Sequence, residues 1–252
     1  MAIRHPKNKN LILTDESDLH GLPLLVNHGP YIRNYLDGIL NLVNGFVEKH
    51  RRATAIRFDL RVPVNFSGHE ERLITRFFDS LKGRLDSDQL RNARNDRRVR
   101  SSDMAYIWVR EKSTSDHHHY HCCILVNGDA YYHLGNFRLD RCAGDGKKNM
   151  AYRIIHSWAG ALRMRWEDSY GLVHFSANGV YHINANSDEF IWQLVALFKR
   201  LSYFAKLDTK QYGDSKKNFG CTHVFQYASL ADRAMMGAFG LWRRNHLVRF
   251  SF

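Results

Sequence analysis

Three residues at suggestive spacing stand near the middle of the chain, His119-Tyr120-His121, within the run Asp116 to Asn127. Side chains alternate along a β-strand, so the two imidazoles share one face and Tyr120 points to the other. Such a pair is either half of a metal site or the polar end of a hairpin whose histidines face solvent. Glu111 closes the preceding apolar run, Met104 to Glu111. If residues 112–118 form a hairpin loop, with His117 and His118 in it, Glu111 falls beside His119. One carboxylate and two imidazoles leave coordination positions open for a substrate oxygen. That donor set suits Mn²⁺, Mg²⁺, Zn²⁺ or Fe²⁺, although Mg²⁺ alone ordinarily prefers oxygen ligands.

A second constellation lies in Arg200-Leu201-Ser202-Tyr203-Phe204-Ala205-Lys206. Tyr203 and Lys206 are three residues apart and share a face of a helix. A tyrosine becomes a competent nucleophile toward phosphorus when a neighbouring ammonium or metal favours its phenolate. The plainer reading is an amphipathic helix with Leu194, Leu197, Leu201 and Phe204 as its core face and Lys206 snorkelling to water. Tyr212 is a competing nucleophile, but Gly213 beside it marks a turn and a structural or substrate-contacting role.

The elements that must position these residues follow from periodicity. Residues 1–28 read as an extended basic arm interrupted by Pro6, Gly21 and Pro23. Helical spacing of apolar residues predicts a helix over Tyr31–Lys49, and alternation predicts a strand over Ala53–Val62. On that strand Ile56, Phe58, Leu60 and Val62 occupy one face, and Arg57, Asp59 and Arg61 the other. Two further helices are expected, His69–Arg84 and a charged one over Asp88–Arg98. Strands Met104–Glu111 and His119–Val126 pair as a hairpin. Gly144 to Lys148 breaks the chain before a helix over Met150–Trp166. Asn178-Gly179 signals a hairpin between Gly171–Phe175 and Gly179–Ile183. The last helix spans Ser187–Lys206, with Ser187 as N-cap. The pattern is α+β: a central antiparallel sheet flanked by helices, with an N-terminal helical extension. Its expected division is an N-terminal arm and helix over 1–50, a catalytic domain over 51–228 and a tail over 229–252.

Composition narrows the partners. Across 252 residues, 37 lysines and arginines outnumber 25 carboxylates, a net charge of +12 that favours a polyanion, nucleic acid first. Arg91, Arg94, Arg97, Arg98 and Arg100 form a dense cluster that is either a phosphate-holding surface or a solvated charged face; Arg57 and Arg61 extend the DNA-contacting set. No stretch approaches the ~20 apolar residues that cross a bilayer. None of the four cysteines has Cys-x-x-Cys spacing, and no signal peptide opens the chain. These features predict a soluble, intracellular protein without membrane association.

Together the motifs resemble the HUH endonucleases, the rolling-circle replication initiators and their relatives. His119-Tyr120-His121 stands at that family's histidine–hydrophobe–histidine motif, with Tyr120 in the hydrophobic position. Tyr203-Phe204-Ala205-Lys206 matches the Tyr-x-x-Lys motif, and Glu111 sits where many initiators carry a third metal ligand. The order of residues 119–127, Gly171–Phe175, Arg200–Lys206, Tyr212-Gly213-Asp214 and Phe219-Gly220-Cys221 is similar to the filamentous-phage-type replication proteins of prophages, also called the YagK/YfjJ family.

The resemblance implies an RRM-like sheet with residues 54–62 as its first core strand. It implies a divalent ion (Mn²⁺ or Mg²⁺) on His119, His121 and Glu111. Tyr203 would be the nucleophile, with Lys206 sharing the developing charge. The partners implied are single-stranded or hairpin origin DNA and the host helicase and replication machinery, since no Gly-x-x-x-x-Gly-Lys-Ser/Thr motif occurs in this sequence. The single tyrosine of the motif favours one-tyrosine chemistry. Two other readings share some of these features: a DNA-binding prophage regulator with a vestigial site, and an Fe²⁺ oxygenase using the two-histidine, one-carboxylate set.

Overall fold

The computed structural model describes residues 3–68, 70–95, 97–112, 118–137, 149–214 and 216–222. Residues 113–117 of the expected 112–118 loop, the Gly144–Lys148 break and the tail after Ser229 lie outside them; Lys112 and His118, expected in that loop, instead pair as strand residues. The described chain is α+β and divides into two compact units, one formed by the described residues within 3–51, 183–208 and 221–222, the other by those within 52–182 and 209–220.

The second unit is built on a five-stranded antiparallel sheet. Its order is β10 (Phe219–Cys221), β7 (Met104–Lys112), β8 (His118–Asn127), β6 (Arg52–Arg61), β9 (Val173–Asn184). Alternation sorts β6 and β8 as the pattern requires. Ile56, Phe58, Leu60, Tyr120, Cys122, Ile124 and Val126 join one buried cluster with residues of α2 (Leu73–Arg94) and α3 (Met150–Leu162), including Leu73, Phe77, Leu81, Ile154 and Trp158. The opposite face carries His119, His121, Cys123 and Leu125 on β8 beside Arg57 and Asp59 on β6. Burial of Ala55, Ile107, Val109, Cys123 and Leu125 makes this face a low-dielectric setting for the polar groups among them.

The first unit holds a small sheet, β1 (Ile3–His5), β2 (Asn8–Thr14) and β5 (Tyr31–Ile32), and a hairpin of β3 (Asp18–Leu19) and β4 (Leu22–Pro23). With them go α1 (Arg33–His50) and α4 (Phe190–Ser202), each with one buried apolar stripe. Residues expected as an extended arm are thus strands: Ile3 and Leu13 face each other, as do Leu13 and Ile32.

Three other expectations give way. The two charged helices are one, α2, because Asp88 lies on its buried face, where Arg153 and Arg91 pair with it. A carboxylate that resembled a helix start is an interior residue with cationic partners. Asn178-Gly179 does not turn a hairpin, since β9 runs through it. Asn178 takes φ 54°, and a Cβ on Gly179 would lie 2.8 Å from the Arg57 carbonyl oxygen, so this pair lets β9 approach β6 closely. Finally, α3 stops at Arg163 in the left-handed conformation, short of Trp166, and the helix before Tyr203 starts at Phe190 rather than Ser187.

Candidate metal centre and tyrosine–lysine pair

Strand pairing assembles the first site. Glu111 on β7 lies directly opposite His119 on β8, as the hairpin reading requires, and Asp59 on β6 lies opposite His121. Each of Glu111, His119 and His121 offers one donor atom within 4.8 Å of the others; among the described residues this is the one such cluster of three. The two imidazole rings meet edge to face at 4.8 Å between centroids.

The surroundings hold His121 and Glu111. His121 Nδ1 is 2.6 Å from Asp59 Oδ1, which places the Nδ1 proton on that bond and turns Nε2 toward Glu111 Oε2, 3.4 Å away. This carboxylate–imidazole arrangement fixes the tautomer and raises the basicity of a metal-binding imidazole. Asp59 is itself held by Arg57 at 3.2 Å and by His174 at 3.5 Å. Glu111, only 1% exposed, accepts from Thr209 Oγ1 at 2.7 Å and from Lys210 Nζ at 3.0 Å. Thr209 holds φ 65°, uncommon for a β-branched residue, so the turn delivering these two donors is strained into place.

Electrostatics follow from that packing. Burial alone would raise the Glu111 carboxyl, but the His121 hydrogen bond, the Lys210 ammonium and the Thr209 hydroxyl outweigh it and hold the group far below the usual carboxylate range. Asp59 is lowered in the same way, burial being overcome by His121, Arg57 and His174. Burial would lower His121, yet Asp59 and Glu111 prevail and raise it, so the ring carries a proton that a metal would displace. Two imidazoles and one ionised carboxylate on a rigid sheet are a donor set that fits a divalent cation with open positions.

The second site lies in the other unit. Tyr203 and Lys206 are as close as their spacing predicted, although Tyr203 opens a 3-10 turn (Tyr203–Ala205) rather than continuing α4. Lys206 Nζ donates to Tyr203 Oη at 2.8 Å and stands 4.2 Å from the ring centroid. Lys206 is buried and bridged to Tyr31 of the same unit, so it does not snorkel. Tyr203 is half-buried, and the His28 ring meets its edge at 5.2 Å.

The proposed DNA contacts separate. Arg57 is buried in the Asp59 network, with its guanidinium also on Ser176, and so supports the metal cluster instead of presenting a surface. Arg61, Arg91, Arg94, Arg97 and Arg98 are exposed; Arg100 is half-exposed and 3.7 Å from Asp129. Tyr212 is half-buried in the segment that carries Lys210. Sequence reasoning missed Asp59, Thr209 and Lys210. The signal for Asp59 was its place between Arg57 and Arg61 on a polar strand face; Thr209 and Lys210 had none.

This chain belongs to the YagK/YfjJ C-terminal domain family, whose pattern matches residues 14–222 and so takes in both constellations. Two relatives come from Escherichia coli K12. The uncharacterized protein YagK is 35% identical over 206 residues, covering 78% of this chain and 96% of the relative. The uncharacterized protein YfjJ is 31% identical over 205 residues, covering 77% and 96%. No solved structure matches.

Proposed function

We propose that the protein is a metal-dependent endonuclease of the HUH type, with an RRM-like catalytic sheet, that nicks and rejoins single-stranded or hairpin DNA to initiate rolling-circle replication of a phage or integrated element. The observation that carries this reading is the assembly of Glu111, His119 and His121 on paired strands, their donor atoms within 4.8 Å, with His121 held from behind by Asp59 and Glu111 by Lys210. A bound divalent ion, Mn²⁺ or Mg²⁺, would supply Lewis-acid polarisation of a scissile phosphate.

The chain's own residues supply the rest. Tyr203 Oη attacks phosphorus, and the bond to the 3′-oxygen breaks. The DNA keeps its phosphodiester energy as a 5′-phosphotyrosine, and the leaving oxygen takes a proton to become a priming 3′-hydroxyl. Lys206, already on Tyr203 Oη, aligns the nucleophile and shares charge that develops on the phosphoryl oxygens. The net charge of +12 suits the polyanion, and host helicase would open the duplex.

The test is covalent capture. Single-stranded DNA from the flanks of the coding element, incubated with the protein and Mn²⁺, should yield a protein–DNA adduct that is lost in Tyr203→Phe and retained in Tyr212→Phe. Dependence on Tyr212 instead would overturn the nucleophile. Sequence-specific binding without any adduct would favour the catalytically inactive regulator.

A further inference from the structure

Between α2 and the first turn of α3, in the unit that carries the five-stranded sheet, is a cleft of about 270 Å³. It is lined chiefly by Arg84, Asp88, Arg91, Tyr152 and Arg153. Three guanidiniums thus meet one carboxylate, and that carboxylate is already engaged: Arg153 pairs with Asp88 Oδ2, and Arg91 lies 3.3 Å from Oδ1. Arg84 reaches the His156 carbonyl only at 3.5 Å, and its buried Nε has no hydrogen-bond partner among the described residues. A buried guanidinium N–H without an acceptor is costly, and a surplus of like charge in a recess adds to the cost. Burial, and after it the charge of Arg84, disfavours the charged form of Arg153, which places the two guanidiniums in mutual repulsion. The opening turn of α3, with Asn149 as its N-cap, adds the positive end of a helix.

We propose that this cleft binds a phosphate group carrying two negative charges, either inorganic phosphate or the terminal phosphomonoester of a nucleic-acid strand. Such a group balances the surplus of two positive charges, and its oxygens accept from forked guanidinium donors in the geometry those donors favour. The recess suits one compact anion better than a strand running past. The proposal does not rest on the nicking reading: none of its residues belongs to the metal cluster or to the tyrosine–lysine pair, and Arg91 alone among them figures in the expected DNA-contacting set.

The experiment is thermal unfolding of the full chain in phosphate against chloride at equal ionic strength. At about ten times its Kd, phosphate should raise Tm by about 3–5 °C. Arg84→Gln and Arg91→Gln should each remove most of that shift, whereas His119→Ala should keep it even where it loses metal. Both arginine variants leave the Asp88–Arg153 pair intact. Should Arg84→Gln itself unfold the chain, Arg91→Gln decides, since that side chain is 55% exposed. Equal Tm values in phosphate and chloride, or a shift that survives in Arg91→Gln, overturn the site. Anisotropy with thymidine hexanucleotides separates the sources. Tighter binding of the 5′-phosphorylated form, lost in Arg91→Gln, assigns a strand end. Equal binding of both forms, with the phosphate shift intact, assigns inorganic phosphate.

Discussion

The metal cluster and the tyrosine–lysine pair are built to opposite plans. In the first, Glu111 and His121 are each fixed by further groups, and charges alternate through a buried network: Arg57, Asp59, His121, Glu111, Lys210. The second joins its two side chains by a hydrogen bond and a cation–ring contact at the end of a helix, with the tyrosine half open. A ligand set must hold its geometry before the ion arrives, which demands rigid strands and a closed second layer of partners. A nucleophile must approach and leave a phosphate, which a short turn permits. The difference predicts that damage to the first site is read in stability and metal affinity, and damage to the second in chemistry alone.

The largest effect is expected at Glu111. Glu111→Gln leaves the fully buried Lys210 ammonium without its counter-charge, a loss of about 3–5 kcal/mol in urea unfolding. The double variant Glu111→Gln/Lys210→Met should recover most of that loss. Tyr203→Phe, by contrast, should shift stability by less than about 1 kcal/mol, since it removes the half-exposed hydrogen bond to Lys206. If the two single variants cost the same, the contrast between the sites fails.

Next comes Asp59, which touches no substrate in this scheme and acts through His121. Asp59→Asn should weaken Mn²⁺ binding about 10–100-fold, followed by electron paramagnetic resonance of the free ion. Unchanged affinity would mean that His121 needs no orienting partner. Tyr203→Phe should leave that affinity within about twofold while abolishing the adduct.

How much of this was legible depended on how local the cause was. The His119–Glu111 pairing follows from strand alternation and one short connection, and Tyr203–Lys206 from helical spacing, so both were readable. Asp59 opposite His121 required the register between β6 and β8, strands more than fifty residues apart in sequence. Lys210 and Thr209 arrive from an irregular turn after α4 and its 3-10 turn, where no periodicity exists to read. The continuity of α2 through Asp88 was hidden for the same reason: the residue that justifies a buried carboxylate, Arg153, lies on another helix. Asn178-Gly179 shows the converse, a strong local turn signal overruled by strand pairing with β6.

Acid and base should act on the metal-free cluster in opposite senses. Glu111 and Asp59 are lowered from ordinary values of 4.5 and 3.8, so their contribution to stability is complete above those values and is lost as pH falls toward their folded ones. His121 is raised from 6.5, so its contribution is complete below 6.5 and is lost as pH rises through its folded value. Stability of the metal-free protein should therefore crest between about pH 4.5 and 6.5 in urea titrations, and His121→Gln should flatten the alkaline side. Metal affinity runs the other way, rising with pH, because the ion must displace the proton on Nε2. Tyr203→Phe should leave both profiles unmoved.

The smallest effects belong to the exposed arginines, where neither plan applies. Arg97 and Arg98 are exposed, so Arg97→Ala or Arg98→Ala should change stability by less than about 0.5 kcal/mol. If they contact phosphates, each substitution lowers the slope of log K against log salt for single-stranded DNA by roughly 0.7, independently of sequence. Arg57→Ala is the informative contrast. Its guanidinium is buried against Asp59, so it should cost stability and metal affinity while leaving the salt slope unchanged. A lowered slope in Arg57→Ala would return that residue to the DNA surface and blur the line between a network that holds a metal and one that holds a strand.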